Sequence, residues 1–412
     1  MDAAAWPDVA RLPRGSRART AVARALVGRA LARLPLRVQY PDGSVTGGRG
    51  PVLVLRDPAA FHRRIGADGL IGFGESYMAG EWGADDLTAV LTAMAEQVAE
   101  LVPGAVQRLR GLWEHRRPSA ERNTPGGARS NIRRHYDLSN DLFAAFLDPT
   151  MTYSAALFEE LPGSRDGLAA AQRRKIDRLL DLAGVGGGTR LLEIGTGWGE
   201  LAVRAAARGA RVRTVTLSAE QRALAEARVA AAGLTDRVAV EQRDYREVDG
   251  RYDAVVSVEM IEAVGVEFWP DYFAALARLT EPGGRVALQA ITMPHARLLA
   301  TKDARSWIGK YVFPGGVIPS VEAIERTARA HGLRIADDTA YGPHYAETLR
   351  LWRERFTAAA PEVAALGFDA VFRRMWEFYL AYCEAGFRAG YLDVHQTLLL
   401  PVEPRAPRTV LR

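Results

Sequence analysis

Between residues 189 and 292, five short apolar runs (TRLLEIG, RVRTVTL, RVAVEQRDY, YDAVVSVEM and GRVALQAIT) alternate with Ala- and Arg-rich stretches of helical period. Such runs, separated by helices, indicate buried strands joined by crossovers. A succession of that kind builds parallel neighbours, so the centre of the chain is expected to be an α/β unit with a twisted, mainly parallel sheet. No disulfide framework competes with this reading, because the chain has one cysteine, Cys383. The same count leaves no Cys-based zinc site, fits a reducing cytoplasm, and makes Cys383 an expected core residue.

A chain of 412 residues, 48% hydrophobic and 25% charged, has the length for two packed domains. Its start, MDAAAWPDVARLPRG, lacks the basic and apolar regions of a signal peptide. No apolar stretch reaches the ~20 residues of a membrane span, so a soluble or peripheral protein is expected. The formal charge of +5 implies only mild attraction to anionic surfaces. From Arg11 to Arg37, however, every charge is arginine, and after Gly15 Ala, Leu and Val recur at helical spacing. Such a helix either lies on an acidic membrane surface or packs on its own domain with a solvated Arg face.

Beyond it, alternation around Asp42-Gly43 and Gly47-Gly48 predicts short antiparallel strands, and the segment from Leu70 to Val102 reads as a Gly-rich turn running into a helix. The stretch RRPSAERNTPGGARS, residues 116–130, has linker composition. The expected division is therefore an accessory domain over 1–115, a linker over 116–130 and a catalytic domain over 131–412. The last hundred residues are aromatic-rich and helical in period. Their Trp and Tyr residues, in LRLWRERF and WEFYLAY, either line an acyl tunnel or form helix-packing core.

LLEIGTGWGE follows a strand and opens a helix, where Gly195, Gly197 and Gly199 permit a tight turn and close approach of backbone to a ligand. The third glycine arrives one residue too early for a dinucleotide fingerprint. With Glu193 two residues before the first glycine, the pattern is instead the E/D-x-G-x-G typical of S-adenosylmethionine-dependent methyltransferases, and Trp198 inside the loop joins the candidate cofactor contacts. The second strand ends without an acid for the ribose, so Thr216, Ser218 and Gln221 are the expected substitutes. Asp244 and Tyr245 close the third strand, where an adenine is held. After the fourth strand, VSVEMIEAVG sets Glu259 and Glu262 three positions apart. Two carboxylates in a poorly hydrated site raise the proton affinity of at least one of them.

Four blocks in order, GESYMAGEW (74–82), NIRRHYDLSNDLFAAFLDPTMTYSAALF (131–158), SVEMIEAVG with WPDYF close behind, and WIGKYVFPGGVIPS (307–320), resemble the cyclopropane-fatty-acid synthase family over nearly the whole chain. The resemblance implies a class I Rossmann-like methyltransferase with helical additions and a small N-terminal α+β domain, acting on double bonds of phospholipid acyl chains. It also implies that Tyr136, Tyr153 and Ser154 wrap the methionine end of S-adenosylmethionine, that Gly195 and Gly197 line its backbone, and that Gln221 and Tyr245 hold ribose and adenine. In ring-forming relatives a bicarbonate held by a Cys, a Glu, a His and a Tyr takes the final proton. Glu262 and Tyr345 match two of these; the Cys position is Ala155 and the His position is Gln289, which puts bicarbonate in doubt. Glu259 stands where the ring-forming enzymes have a small residue, typically glycine. Its carboxylate is therefore expected either to replace the ion as base or to order backbone amides or a cofactor hydroxyl. The blocks VEMIEAVG, QAITMPHAR and HYAETLRLWRERF resemble the actinobacterial branch that converts oleoyl phospholipid to the 10-methylene precursor of 10-methylstearic (tuberculostearic) acid, with a separate flavin-dependent reductase completing the saturation. A conventional cyclopropane synthase is the competing expectation. No nucleic-acid partner is expected, and oligomeric state is open.

Overall fold

The computed structural model describes residues 2–14, 16–97, 118, 121–124, 126–127 and 139–402. Near the N-terminus, helix α1 (Arg17–Leu31) is capped by the Ser16 side chain, which accepts from the Arg19 N–H. Only Ala23 and Leu31 of it are buried, while Arg17, Arg19, Arg24 and Arg29 are exposed. Strands β1 (Arg37–Gln39), β2 (Val45–Gly47), β3 (Val52–Leu55) and β4 (Trp82–Ala84) form a sheet in the order β2-β1-β3-β4. The β1–β2 pair is antiparallel as the turn residues predicted, but β3 runs parallel to β1.

The expected Gly-rich turn at Leu70–Gly74 is instead part of helix α2 (Pro58–Met78), which kinks at Gly69 (φ 57°). The glycines there serve close packing. A Cβ on Gly74 would lie 2.4 Å from the Trp307 indole, so only glycine lets the two elements approach. Helix α3 (Leu87–Glu96) follows, capped by Asp86.

The larger sheet contains β5 (Arg190–Ile194), β6 (Arg211–Thr216), β7 (Val238–Gln242), β8 (Tyr252–Val258), β9 (Thr280–Thr292), β10 (Leu333–Ala340) and β11 (Asp393–Pro401). Its order is β10-β11-β9-β8-β5-β6-β7. Strands β5 to β9 pair parallel, as the alternating runs predicted; β11 is antiparallel to β9 and β10 to β11. Helices α4 (Leu168–Leu182), α5 (Glu200–Ala207), α6 (Ala219–Ala231), α7 (Ile261–Val264) and α8 (Trp269–Leu279) lie along this part of the chain. The strand order reverses at β5, which has β6 on one side and β8 on the other. In open sheets of this kind the crevice for a ligand opens at the carboxyl ends of those strands. That single topological fact brings the loop after Glu193 beside the end of β8 at Glu259.

Further along the chain come helices α9 (Trp307–Tyr311), α10 (Gly342–Ala358) and α11 (Ala370–Arg388). One continuous apolar cluster runs from Leu36, Leu53 and Trp82 of the N-terminal part to Trp352, Trp376 and Phe378 of α10 and α11. Polar contacts reinforce it, among them Tyr77 Oη donating to Glu377 at 3.0 Å and Lys310 Nζ to Glu75 at 2.6 Å. The segment read as a linker is described at residues 118, 121–124 and 126–127, and it includes Glu121 and Asn123. Both are buried, Glu121 against Arg305 and Asn123 donating to the Gly315 carbonyl at 3.2 Å.

Candidate active site

The glycine loop begins where β5 ends. Gly195 has φ 98°, and a Cβ there would meet Met260 Cγ at 2.7 Å, so the backbone forms an open wall only glycine can make. Glu193 is buried beneath it, with Thr214 Oγ1 2.6 Å from its Oε2. Burial pushes its carboxyl up to about 8. Trp198 is buried and donates Nε1 to Asn140 Oδ1 at 2.8 Å, with its ring against Phe143.

At the end of β6, Thr216 Oγ1 donates to Gln221 Oε1 at 2.9 Å, and Ser218 caps α6 by accepting from the Gln221 N–H. The amide oxygen of Gln221 is thereby engaged by Thr216. Asp244 is clasped by Arg246, its Oδ2 taking Nη2 at 2.6 Å and its Oδ1 taking Nε at 2.9 Å. Tyr245 is buried edge-on to Tyr272. Tyr153, Ser154, Glu193, Gly195, Gly197, Trp198, Thr216, Gln221, Asp244 and Tyr245 all line one cleft, which Glu259 also reaches. Tyr136 lies outside the described residues. The cradle of positive-φ glycines, an amide donor and a buried tyrosine fits the elongated, polar S-adenosylmethionine.

Glu259 leaves β8 with φ 50°, a left-handed conformation that costs a side-chain-bearing residue about 1–2 kcal/mol. Its own N–H donates to the Gln289 carbonyl at 2.7 Å, continuing the ladder while the side chain turns inward. Three donors meet the carboxylate. Oε1 accepts from the Ala155 N–H at 2.9 Å and Gln289 Nε2 at 2.8 Å, and Oε2 from Tyr345 Oη at 2.7 Å. The site is thus assembled from a loop, β9 and α10. Burial raises the proton affinity of Glu259, while these donors and the nearby Lys175 oppose it.

Glu262 has fewer polar partners. Its Oε1 accepts from the Ile291 N–H, and its Oε2 has no partner among the described residues. Burial, with the Glu259 charge adding to it, pushes this carboxyl up to about 8. The two acids therefore differ in support: Glu262 has only backbone N–H donors, its own and that of Ile291, and is held protonated by burial and by the neighbouring Glu259 charge, whereas Glu259 has three groups that favour its carboxylate form.

Several residues that sequence reading passed over belong here. Lys175 is fully buried and donates Nζ to Ser154 Oγ at 2.5 Å; burial lowers its ammonium to about 8. Its signal was visible, since Leu168, Ala171, Gln172, Lys175, Ile176 and Leu179 share the buried face of α4. Tyr379 Oη lies 2.7 Å from Tyr153 Oη, and Trp352 packs on the Tyr153 ring with centroids 5.2 Å apart. These aromatics of LRLWRERF and WEFYLAY are core that buttresses Tyr153. Among the described residues no cluster of His, Cys, Asp and Glu is arranged to hold a metal.

A mainly parallel sheet with a glycine cradle and a buried acid at its switch point defines a class I S-adenosylmethionine-dependent methyltransferase. The family model of mycolic acid cyclopropane synthetase matches residues 124–397, and the chain belongs to that family. It is 59% identical to the tuberculostearic acid methyltransferase UfaA1 of Mycobacterium tuberculosis H37Rv, over 98% of this chain and 97% of that protein. It is 34% identical to the cyclopropane-fatty-acyl-phospholipid synthase of Escherichia coli K12, over 86% of this chain and 90% of that protein. The crystal structure of the mycolic acid cyclopropane synthase CmaA1 complexed with SAH and CTAB superposes with TM-score 0.60 at 33% identity, covering 66% of this chain and 97% of that one.

Proposed function

We propose that the protein methylates the double bond of oleoyl chains in membrane phospholipid and releases the 10-methylene-stearoyl lipid, with Glu259 as the base. When bound, S-adenosylmethionine supplies an electrophilic methyl group. The rest falls to the chain's own residues. Methylation at C10 of the alkene leaves a cation at C9. A hydride moving from C10 to C9 places the charge on the tertiary carbon, and loss of a proton from the new methyl gives the exocyclic methylene. If the proton left before the hydride moved, the ring would close instead.

The observation that carries this reading is the Glu259 carboxylate seated among the Ala155 N–H, Gln289 and Tyr345. Ala155, Gln289 and Tyr345 occupy three of the positions that hold bicarbonate in the ring-forming relatives, so a side chain fills the place of the ion. Gln289 and Tyr345 orient the base. Glu262, protonated, adds no second charge. The similarity to UfaA1 supports the same substrate class.

Residues 1–115 are assigned to lipid-surface docking, with the exposed arginines of α1 directed at the anionic inner face of the plasma membrane and 116–130 joining them to the catalytic part. No helix of the described residues is long and apolar enough to cross a membrane. A flavin-dependent reductase is the partner that would saturate the methylene product. The test is incubation with oleoyl phospholipid vesicles and labelled S-adenosylmethionine, without reductase, followed by proton NMR of the released acid. Vinylidene protons are expected; cyclopropane protons would overturn the assignment. Glu259→Gln should abolish turnover while cofactor binding survives.

A further inference from the structure

Glu259 is the end of a longer chain of hydrogen bonds. Arg178 of α4 donates Nη1 to Gln396 Oε1 at 2.6 Å. Gln396 of β11 donates Nε2 to the Lys175 carbonyl at 3.2 Å and to Gln289 Oε1 at 3.0 Å. Tyr341 Oη also donates to Gln289 Oε1, at 2.6 Å. Gln289 Nε2 then donates to the Ala155 carbonyl at 3.3 Å and to Glu259 Oε1 at 2.8 Å.

The direction of this chain is fixed at both ends of each amide. A guanidinium only donates and a backbone carbonyl only accepts. Gln396 must therefore turn its oxygen to Arg178 and its NH2 to Lys175. Gln289, receiving the Gln396 NH2, must turn its own NH2 to Ala155 and Glu259. Both glutamines are 1% exposed, so no solvent relaxes the constraint. A proton on Glu259 Oε1 would set donor against donor.

We propose that Arg178 and Gln396 are positioning residues that hold Gln289 as a donor to the base, so that a permanent cation outside the reaction pocket dictates the charge state and aim of Glu259. This deepens the assignment of Glu259 as base and rests on it. The other titratable groups facing Glu259 are Lys175 from α4, Glu262 from α7, Tyr345 from α10 and Tyr341 at the end of β10. None of them sets the orientation of both amides.

The test is the pH profile of methylene formation at saturating cofactor for Arg178→Met, Gln396→Leu and Arg178→Lys beside the parent. Removing a donor from a carboxylate raises its pKa, so the acid-side limb of Arg178→Met and Gln396→Leu should move up by roughly one to two pH units. Their high-pH plateau should stay within about threefold and S-adenosylhomocysteine binding should be unchanged, that factor being under one pH unit's equivalent. Arg178→Lys, which keeps a donor-only cation, should restore the parent limb. An unmoved limb in both truncations overturns the proposal, as does equal loss of activity at every pH. Glu259→Gln separates the two readings: if it turns over, the base assignment itself fails. If it is inactive while the limbs stay put, only the positioning role fails.

Discussion

At the scale of single residues, the site is organised by how many donors each carboxylate receives. Glu262 holds its proton in the fold up to about 8, whereas an ordinary glutamate releases it near 4.5. Between those values the folded protein keeps a proton that the unfolded chain has lost, so this residue's contribution to stability falls as pH rises and levels off above about 8. Glu262→Gln should therefore melt a few degrees above the parent at pH 8 and close to it at pH 5, in cofactor-free protein. An equal gap at both pH values would mean that Glu262 is charged in the fold. Glu259 invites a complementary change. Glu259→Gly relieves the left-handed backbone and empties the place among the Ala155 N–H, Gln289 and Tyr345. Added bicarbonate is expected to restore at least about a tenth of parental turnover to this variant, with cyclopropane now among the products. No rescue at any bicarbonate concentration would show that Gln289 cannot support the ion. That the two acids belong together was legible in VSVEMIEAVG, because three residues after a strand cannot take them far apart. Which one carries the proton was not, because that depends on donors contributed by residues 155, 289, 291 and 345.

At the scale of elements, the outcome turns on close approach. Helix α2 contains glycines that read as a turn, and the packing overrode that signal by using Gly74 against the Trp307 indole. Gly74→Ala puts a methyl where 2.4 Å separates the ideal Cβ from the ring, so it should destabilise by about 1–3 kcal/mol and loosen α2 from α9. Thermal unfolding and limited proteolysis within residues 58–78 would read both effects; an unchanged melting temperature would mean that the ring moves aside freely. The strands β5 to β9 were legible because buried parallel strands are near-continuous apolar runs. Strand β10, LRIADDTA, was not, since it is an edge strand with five of its eight positions exposed and carries little apolar pattern. Its partner β11 escaped notice although it contributes Gln396, because nothing local distinguishes a buried glutamine from a solvated one.

At the scale of the whole molecule, the N-terminal sheet and helices α10 and α11 are welded through one apolar core, with the arginines of α1 and the exposed Val22 and Leu70 left outward. If that face docks on anionic lipid, raising salt from about 0.1 to about 1 M cuts the screening length from ~10 to ~3 Å and should release the protein from acidic vesicles. Arg17, Arg24 and Arg29 replaced together by Gln should bind such vesicles at least about tenfold more weakly, at roughly 1 kcal/mol per charge near the surface. Binding indifferent to both changes would assign docking to the apolar residues instead. The sequence alone determined the parallel sheet, the glycine cradle and the closeness of the two acids, because periodicity and short spacings are local properties that survive any tertiary arrangement; the distant Tyr345 was reached only through the family resemblance. Only the folded chain decided that Glu259 gathers three donors while Glu262 is held protonated, and that an arginine nearly three helical turns into α4 governs the amide beside them. Donor count and hydrogen-bond direction arise where distant strands meet, and a linear pattern holds no record of them.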